Sequence, residues 1–341
     1  MVRTKNTAST NISIRDVAKL AGVSITTVSR VINKHPLVKE KNRKAVMSAV
    51  RELKFHPSVF AQRLATGKSN VVALVIPRYE GIYYSFYALE IIRGIGTLCE
   101  ELKLDLLLHL TDARASFNLK GVGGIIFADI IGNRFQLEEA VSFSIPCVVI
   151  NNHIEDLNVS CVSIDNKDGA MQAIDYLVNL GHRKIAHIAG DVVNQAAALR
   201  LEGYIEALKK HNIEIRQDYI FKTDYSRGQA RQATEKIIKM ADAPTAVFVA
   251  SDSMALEVMT VAKELNKNLP KDLSIVGFDD NPSGLYGPVA LTTVRQPLIK
   301  MAEEGIKELN LIMNPAEQEK PGVKKIVLPV ELVIRDSCQK L

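Results

Sequence analysis

The segment from residue 24 to residue 30 carries side chains that can read the edges of DNA base pairs. Arg30 can donate two hydrogen bonds to O6 and N7 of guanine, the commonest specific contact to a base. Thr26 can donate, accept or pack against a thymine methyl group, whereas Ile25 can offer only apolar contact. Thr27 and Ser29 suit phosphate oxygens, which position a protein on DNA without specifying sequence. Arg30 by itself would most often be a solvated helix charge, but its neighbours favour a base contact.

Two short helices must present these side chains, and the sequence marks where each begins. Ser13 can cap a first helix, with Asp16 as the acid of a weak capping box. Gly22 can adopt the left-handed conformation that ends a helix, and Ser24 can cap a second helix that runs to about residue 32. This spacing predicts a helix-turn-helix, whose second helix enters the major groove with its N-terminus first.

Apolar residues recur on one face of each helix, as a small buried core requires. Val17 and Leu20 are expected to face inward from the first helix. Val28, Val31 and Ile32 fall at i, i+3 and i+4 on the second helix and are expected to face the same core. The polar and basic side chains of the second helix are thereby left on its outer face.

Charge is distributed unevenly along the 341 residues, although the net charge is only +5. Residues 1–69 hold 14 Lys and Arg against 3 Asp and Glu, whereas residues 70–341 hold 29 against 35. A basic head on an acidic body is expected when one segment binds a polyanion and the rest does not. A basic solubility tail is the alternative, but the regular helical pattern of the head speaks against it.

The body beyond residue 70 alternates continuous apolar runs with helical patterns; the runs include VVALVIP, KIAHIAG, TAVFVA and LSIVGF. Continuous runs are typical of strands buried on both faces, so parallel sheets covered by helices are expected. The body is also longer than one such sheet usually organises. The predicted fold class is therefore α/β, with a helix-turn-helix head followed by a two-lobed core.

Several classes of protein lack their sequence signals here. The four cysteines, Cys99, Cys147, Cys161 and Cys338, show no metal-type spacing and are expected to be reduced thiols. The sequence shows no secretory signal, membrane-length apolar run, Walker loop, G-x-S-x-G or H-E-x-x-H motif. We therefore expect a cytoplasmic protein that is not an enzyme and that uses no cofactor or metal.

The string SIRDVAKLAGVSITTVSRVIN, with HPSVFAQRLATGKS further along, resembles the signature of the lac repressor (LacI/GalR) family. The resemblance implies a third helix over about 39–53 and a hinge helix over about 58–65 that folds when paired with its dimer mate on DNA. Leu64 would then wedge into the minor groove with Ala61 beside it; from the residues alone, Leu64 would more often belong to a core. The implied DNA-binding set is Ser24, Ile25, Thr26, Thr27, Ser29, Arg30, Asn33, Ala61 and Leu64.

The body resembles the sensor core of the same family, which is similar to periplasmic sugar-binding proteins. The resemblance rests on VSIDNKDGA, LVNLGHRKIAHIAG, LRLEGYIEAL, PTAVFVASDSMALEVM, LSIVGFDD and LTTVRQP, which occur in family order and spacing. It implies two lobes that the chain joins by three crossovers, with a small-molecule effector between them. The first lobe would comprise about 70–164 and 294–322, and the second about 165–293 and 323–341.

Three charged residues match family positions that contact effector across the cleft: Asp165, Arg200 and Asp279. Each lies beside an apolar run or at a helix start, at the rim where open α/β sheets bind ligands. The alternatives are a helix cap for Asp165, a surface ion pair for Arg200 and a turn residue for Asp279. Further candidates for effector contact are Asn194, Tyr225, Ser251, Asp252, Tyr84 and Phe86. For the aromatic candidates, packing in a core is an equal alternative.

Three places depart from the family pattern. The chain between His109 and Val122 is shorter than usual, so a helix of the first lobe is expected to be shortened or lost. Ala196–Ala198 replace polar residues that some relatives use for effector, so the cleft is expected to be less polar on that side. Lys39 stands where a helix-capping Ser is usual.

The resemblance therefore predicts a homodimeric transcription regulator, expected to be a repressor, on a pseudo-palindromic operator in double-stranded DNA. Its expected effector is a small molecule, either a sugar or a purine-like compound. A solute receptor with the same two-lobed core is one alternative, which the basic helix-turn-helix opposes. A regulator controlled by a protein partner is another.

Overall fold

A computed structural model describes residues 12–32, 35–55, 69–78, 82–112, 121–315 and 322–341. The chain divides into two units, Met1–Ser69 and Asn70–Leu341, which we call the head and the core. Each unit has hydrophobic clusters of its own.

Three helices form the described part of the head: α1 (Ile14–Ala21), α2 (Ile25–Ile32) and α3 (Glu40–Glu52). Their shared core contains Val17, Ala18, Val28, Val31, Val46 and Ala49. The predicted helix-turn-helix is confirmed. The prediction for Leu20 is wrong, because this side chain is exposed. The inward stripe of α1 instead follows i, i+3, i+4 and i+7 from Ile14 and passes through Ala18 and Ala21, which leaves Leu20 outside it.

Local hydrogen bonds fix both ends of α1. Asp16 Oδ2 accepts hydrogen bonds from the main-chain N of Ser13 at 2.9 Å and from Ser13 Oγ at 2.7 Å. Gly22 follows the helix with φ of 64°, in the left-handed region where a side chain would be strained. The turn into α2 is therefore set by the residue types that the sequence analysis singled out.

The first lobe of the core is built on a parallel sheet. Its strands are β1 (Val71–Pro77), β2 (Asp105–Thr111), β3 (Gly124–Ala128), β4 (Cys147–Ile150), β5 (Ser160–Ile164) and β11 (Lys325–Leu328). Their order across the sheet is β11-β5-β4-β3-β1-β2. Helices α4 (Phe86–Glu101) and α10 (Leu298–Met313) pack on one face, and α5 (Arg134–Ser142) packs on the other.

The second lobe contains another six-stranded sheet. Its strands are β6 (Ile185–Ala189), β7 (Ile220–Lys222), β8 (Ala246–Val249), β9 (Ser274–Asp279), β10 (Thr292–Arg295) and β12 (Glu331–Val333). The order is β12-β10-β9-β8-β6-β7, and only the edge strand β12 is antiparallel to its neighbour. The helices are α6 (Asn166–Asn179), α7 (Gln195–Lys210), α8 (Arg227–Lys239) and α9 (Asp252–Glu264). The described part of the core also contains three short 3-10 turns, at Ile82–Tyr84, Gln217–Tyr219 and Pro282–Leu285.

The chain crosses between the lobes three times. The first crossover follows β5, near residue 165 as predicted, and the second follows β10, which extends to Arg295. The third was predicted at 322–323, but β11 still pairs with β5 of the first sheet, so the crossover lies after Leu328. Pro329 explains why β11 and β12 are separate strands, because it has no N–H for a sheet ladder and interrupts the apolar run that contains both strands.

The link between β2 and β3 in the first lobe is short, as the sequence analysis expected. It comprises residues 112–123, of which 113–120 lie outside the described residues. Leu107 and Leu108 of β2 are both exposed, and successive strand residues face opposite sides of a sheet. This edge of the first sheet therefore shows apolar side chains on both faces.

Candidate DNA-binding surface and ligand cleft

The first turn of α2 forms an exposed surface of the head. Ser24 caps this helix, because its Oγ accepts a hydrogen bond from the main-chain N of Thr27 at 3.1 Å and lies 2.9 Å from Thr27 Oγ1. Ile25 is 45% exposed, and Thr26 beside it is exposed. Since Ser24 and Thr27 satisfy the helix end, Ile25 and Thr26 are available to a partner.

Arg30 lies on the same outer face, with its side chain exposed. Val28 and Val31 are buried on the opposite face and fix the rotation of the helix, whereas Ser29 is half-buried. The helix carries no acidic residue. Its outer face therefore offers a cation, hydroxyl groups and an apolar side chain together, which is the combination that base edges and phosphates accept.

The other helices and turns of the head also carry basic side chains. Those that are exposed include Arg15, Lys19, Lys39, Lys41, Lys44, Arg51 and Lys54. Lys39, which stands where a helix-capping Ser is usual, precedes α3 and makes no side-chain capping bond. Exposed cations of this density favour binding to a polyanion.

Three of the residues predicted to bind DNA cannot be placed. Asn33, Ala61 and Leu64 lie outside the described residues, together with the hinge helix predicted over about 58–65. The minor-groove wedge at Leu64 therefore stays a prediction.

In the core, Arg200 is buried, with only 4% of the residue exposed. Its Nε donates to Asn166 Oδ1 at 2.8 Å, and its Nη1 donates to the main-chain oxygen of Ala250 at 2.6 Å. The guanidinium carbon lies 3.7 Å from the centroid of the Phe278 ring. Arg200 is therefore a buried cation that uncharged acceptors and an aromatic ring hold in place, and not a member of a surface ion pair.

Asp279 ends β9 close to this guanidinium. Its Oδ1 accepts a hydrogen bond from Gln296 Nε2 at 2.6 Å, and its φ of 132° lies in a region that side chains rarely adopt. Burial raises the pKa of this carboxyl group, while the charge of Arg200 opposes the rise. Gln296 follows β10 at the second crossover, so Asp279 links the cleft to a segment that joins the lobes.

Asp252 lies behind Asp279 and is fully buried. Its carboxylate accepts hydrogen bonds from Thr293 Oγ1 at 2.6 Å and from the main-chain N of Asn281 at 2.8 Å. Burial and then repulsion by Asp279 raise the pKa of Asp252. These contacts suit a residue that positions the loop after β9, and contact of Asp252 with an effector stays a prediction.

Asp129, which the sequence analysis did not select, lies directly after β3 in the first lobe and is 8% exposed. Its Oδ2 accepts a hydrogen bond from Asn151 Nδ2 at 3.1 Å, and its main-chain oxygen accepts one from Asn133 Nδ2 at 3.2 Å. Burial raises the pKa of Asp129 to about 6, while Asn151 and Arg200 oppose the rise. Asp279 was selected by its match to a family position, but an acid at the end of an apolar strand is a local signal that both residues share and that would have found Asp129.

Tyr225 stands among these charges on the second lobe. It is half-buried, with φ of 66°, and its ring covers Gly190, where an added Cβ would lie 2.0 Å from the ring. Burial raises the pKa of Tyr225 to about 12; Arg200 opposes the rise, and Asp279 and Asp129 add to it. The predicted aromatic candidate is therefore within electrostatic reach of charges from both lobes.

Three other predicted effector residues cap helices. Side-chain oxygens of Asp165, Asn194 and Ser251 accept hydrogen bonds from main-chain N atoms in the following turn, at 2.8, 2.9 and 3.4 Å. Asp165 is exposed, and it is the next residue, Asn166, that bonds to Arg200. The capping role, an alternative for Asp165 in the sequence analysis, is thus observed, whereas contact of these three residues with an effector stays a prediction.

The two aromatic candidates of the first lobe lie in different environments. Tyr84 is 91% exposed in the 3-10 turn after β1. Phe86 begins α4 and packs, half-buried, against the core of the lobe. Their contact with an effector also stays a prediction.

One pair of hydrogen bonds joins the two lobes across the cleft. Gln195, the first residue of α7, accepts a hydrogen bond at Oε1 from the main-chain N of His153 at 2.6 Å. Its Nε2 donates to the main-chain oxygen of the same residue at 3.1 Å. Gln195 directly precedes the three alanines that replace polar residues of some relatives.

Comparisons with known proteins agree with this architecture. The family described as "Bacterial regulatory proteins, lacI family" matches residues 13–58, and the "Periplasmic binding protein-like domain" matches residues 174–338. Catabolite control protein A of Priestia megaterium is 32% identical over 341 residues, which cover 96% of this chain and 100% of that protein. The chain belongs to the lacI family.

Other family members resemble the chain over nearly its whole length. The probable HTH-type transcriptional repressor ExuR of Bacillus subtilis (strain 168) is 31% identical over 337 residues, covering 97% of this chain and 99% of that protein. The lac repressor dimer, solved bound to operator and an anti-inducer, has a TM-score of 0.82 at 25% identity and covers 96% of this chain and 99% of that one. Both units therefore share the family's architecture.

As a member of the lacI family, the chain is a DNA-binding transcription regulator whose α2 is the second helix of the helix-turn-helix. None of the helices among the described residues has the length and apolar character needed to cross a bilayer.

Proposed function

We propose that this lacI-family regulator represses transcription as a homodimer bound to a pseudo-palindromic operator, and that a small molecule bound between the lobes switches it. This function requires a DNA-binding surface on the head and a ligand site in the cleft, and it requires no catalysis. The protein would act in the cytoplasm, where the DNA is. The lac repressor was solved as a dimer on operator, and the regulator CelR was solved in complex with cellobiose. A two-fold protein matches two half-sites related by the same symmetry.

The observation that carries the DNA-binding part is the exposed face of α2. Ile25 and Thr26 protrude from its first turn, and Arg30 lies on the same face. An isolated cation would bind phosphate on any sequence, whereas an apolar side chain, a hydroxyl group and a guanidinium in one major groove discriminate between base pairs. This combination favours sequence-specific binding over general affinity for DNA.

The buried charges of the core support the switch. Arg200 and Asp279 from the second lobe and Asp129 from the first lie within electrostatic reach of Tyr225. Asp279 and Asp129 stand at the carboxyl ends of strands, where open α/β sheets bind ligands. A ligand that contacts both walls stabilises one relative position of the lobes and so shifts the equilibrium between DNA-binding states.

The test begins with selection of duplexes by the full-length protein from random DNA, followed by anisotropy titrations on the selected site. Arg30→Ala should weaken binding by about 1–3 kcal/mol per half-site and relax the preference at one base pair in each half. Arg51→Ala, an exposed arginine on α3, is the matched control and should weaken binding to all sequences alike. Unchanged affinity and selectivity in the Arg30 variant would contradict the assignment.

A further inference from the structure

The first-lobe wall of the cleft offers hydrogen-bond acceptors. Among the described residues, Asp129 Oδ1 and Asn151 Oδ1 are buried side-chain oxygens without a hydrogen-bond partner, and the two residues follow the neighbouring strands β3 and β4 at the carboxyl edge of the first sheet. The Asn151 amide directs its Nδ2 to the carboxyl group of Asp129, which leaves Asn151 Oδ1 as the free acceptor. Buried acceptors of this kind are costly unless a donor reaches them, so this wall favours a ligand rich in donors.

The charges around the cleft point in the same direction. Arg200 is the cation that acts on both Asp129 and Asp279, and its Nε and Nη1 donate to uncharged acceptors. Two buried carboxyl groups therefore share one guanidinium. A bound anion would add to their repulsion, whereas a bound cation would balance the second carboxylate.

The second-lobe wall does not reverse this preference. The N-terminus of α7 could attract an anion, but Asn194 already caps it, and the side chains of Ala196–Ala198 that follow offer no donor. The ring of Tyr225 lies within reach of Asp129 and Asp279, and the face of an aromatic ring attracts a cation.

We propose that the ligand of this cleft is a polyhydroxylated molecule with a protonated amine, of the amino sugar class, and that its ammonium group binds Asp129. This inference rests on the proposed function of the cleft and narrows it. An ammonium group carries a positive charge and three donors, which match the carboxylate and the acceptors beside it. Hydroxyl groups on the same ligand can use the donors of Arg200 and the carboxylate of Asp279.

The test is calorimetric titration of the full-length protein near neutral pH with three matched sets of sugars. The amino sugars glucosamine, galactosamine and mannosamine are compared with their neutral parents and with glucuronate and galacturonate. We expect at least one amino sugar to bind tenfold or more tightly than its neutral parent, and the uronates to bind more weakly than either. A uronate or neutral sugar that binds as well as every amino sugar, or no heat with any amino sugar, would overturn the inference.

Two variants test whether the ammonium group binds Asp129. Asp129→Asn should remove the tenfold preference for the amine and lower the affinity for the amino sugar. Asp105→Asn makes the same change at an exposed position at the start of β2, the opposite end of the strand from the cleft, and should change neither. If both variants keep the preference, the ammonium does not bind Asp129. Because titration uses no DNA, a failure here is distinct from a failure of operator selection, which would contradict the proposed function.

Discussion

The exposed face of α2 and the buried cleft use the same residue type in opposite ways. Arg30 extends from its helix into solvent, whereas Arg200 is enclosed by Asn166, the main-chain oxygen of Ala250 and the ring of Phe278. The exposed arginine keeps its hydration until DNA replaces it. The buried arginine has lost its hydration on folding and is fixed before any ligand arrives.

This difference separates two kinds of functional residue. A side chain such as Arg30 can be removed with little effect on the folded state, so its loss should be measured in binding alone. A side chain such as Arg200 is part of both the fold and the site, so its loss should be measured in both. The free energy of unfolding therefore distinguishes the two regions.

The largest expected effect is that of Arg200→Ala. The change leaves Asn166 Oδ1 and the main-chain oxygen of Ala250 without their donor and removes the cation beside Asp129 and Asp279. We expect the free energy of unfolding of the core to fall by about 3–5 kcal/mol, measured by urea unfolding.

The matched control is Arg93→Ala on α4, where the arginine is exposed and forms only a helix-surface pair with Glu90. Its effect should stay within about 0.5 kcal/mol. Equal losses in the two variants would remove the distinction between buried and exposed arginines.

A second expected effect concerns pH. Burial raises the pKa of Asp129 to about 6, above the value of about 3.9 in an unfolded chain. The folded state therefore binds the proton of Asp129 more tightly than the unfolded state does. The contribution of this proton to the free energy of unfolding is complete below about pH 4 and is lost as pH rises through about 6. His187, whose pKa burial lowers to about 4, acts in the opposite direction over this range, so wild type alone is uninformative.

Asp129→Asn isolates the contribution of the carboxyl group. Between about pH 4 and pH 7, the free energy of unfolding of wild type relative to this variant should fall by about 2–3 kcal/mol. Urea unfolding at each pH measures this change. In the head, by contrast, hydrogen bonds from Ser13 lower the pKa of Asp16, so that acid should show the opposite trend. Parallel pH profiles for wild type and Asp129→Asn would show that this carboxyl group is not buried in solution.

The smallest expected effect lies within the head. Val28→Ala removes two buried methyl groups from the core of the helix-turn-helix and should cost about 2 kcal/mol of stability. Ile25→Ala, three residues away on the exposed face, should change stability by less than about 0.5 kcal/mol yet weaken binding to the selected operator. Thermal unfolding and anisotropy on both variants check the pair, and a stability loss at Ile25 that matches Val28 would contradict the division of the helix into two faces.

The head was accessible from the sequence because its determinants are local. Ser13, Gly22 and Ser24 mark helix ends within a few residues of the helices they limit, and each observed boundary lies within about one residue of the predicted one. Leu20 was placed wrongly because both Leu20 and Ala21 are apolar and either could have belonged to the inward face of α1. Only packing against the neighbouring helices decides which of the two faces inward.

The cleft was less accessible because its contacts join distant parts of the chain. Arg200 and Asp279 were selected because they match family positions that contact effector, and their places on a helix and at a strand end agreed with that role. Asn166 was missed in favour of the adjacent Asp165, since one residue of a helix is a rotation of about 100° and the sequence does not show which residue faces inward. Asp129 was missed although it follows a buried strand, since its partner Asn151 follows a different strand, β4, and the sequence does not show that the two strands are neighbours.

The hydrogen bonds of Gln195 to His153 have a consequence for how the regulator can change over generations. Both bonds end on main-chain atoms of His153, so replacing that residue leaves them intact. A change at Gln195 removes both, at a cost of about 1–3 kcal/mol to the joined state of the lobes. One codon can therefore alter the ligand concentration at which the cleft responds, while the residues that recognise the ligand and the operator remain as they are.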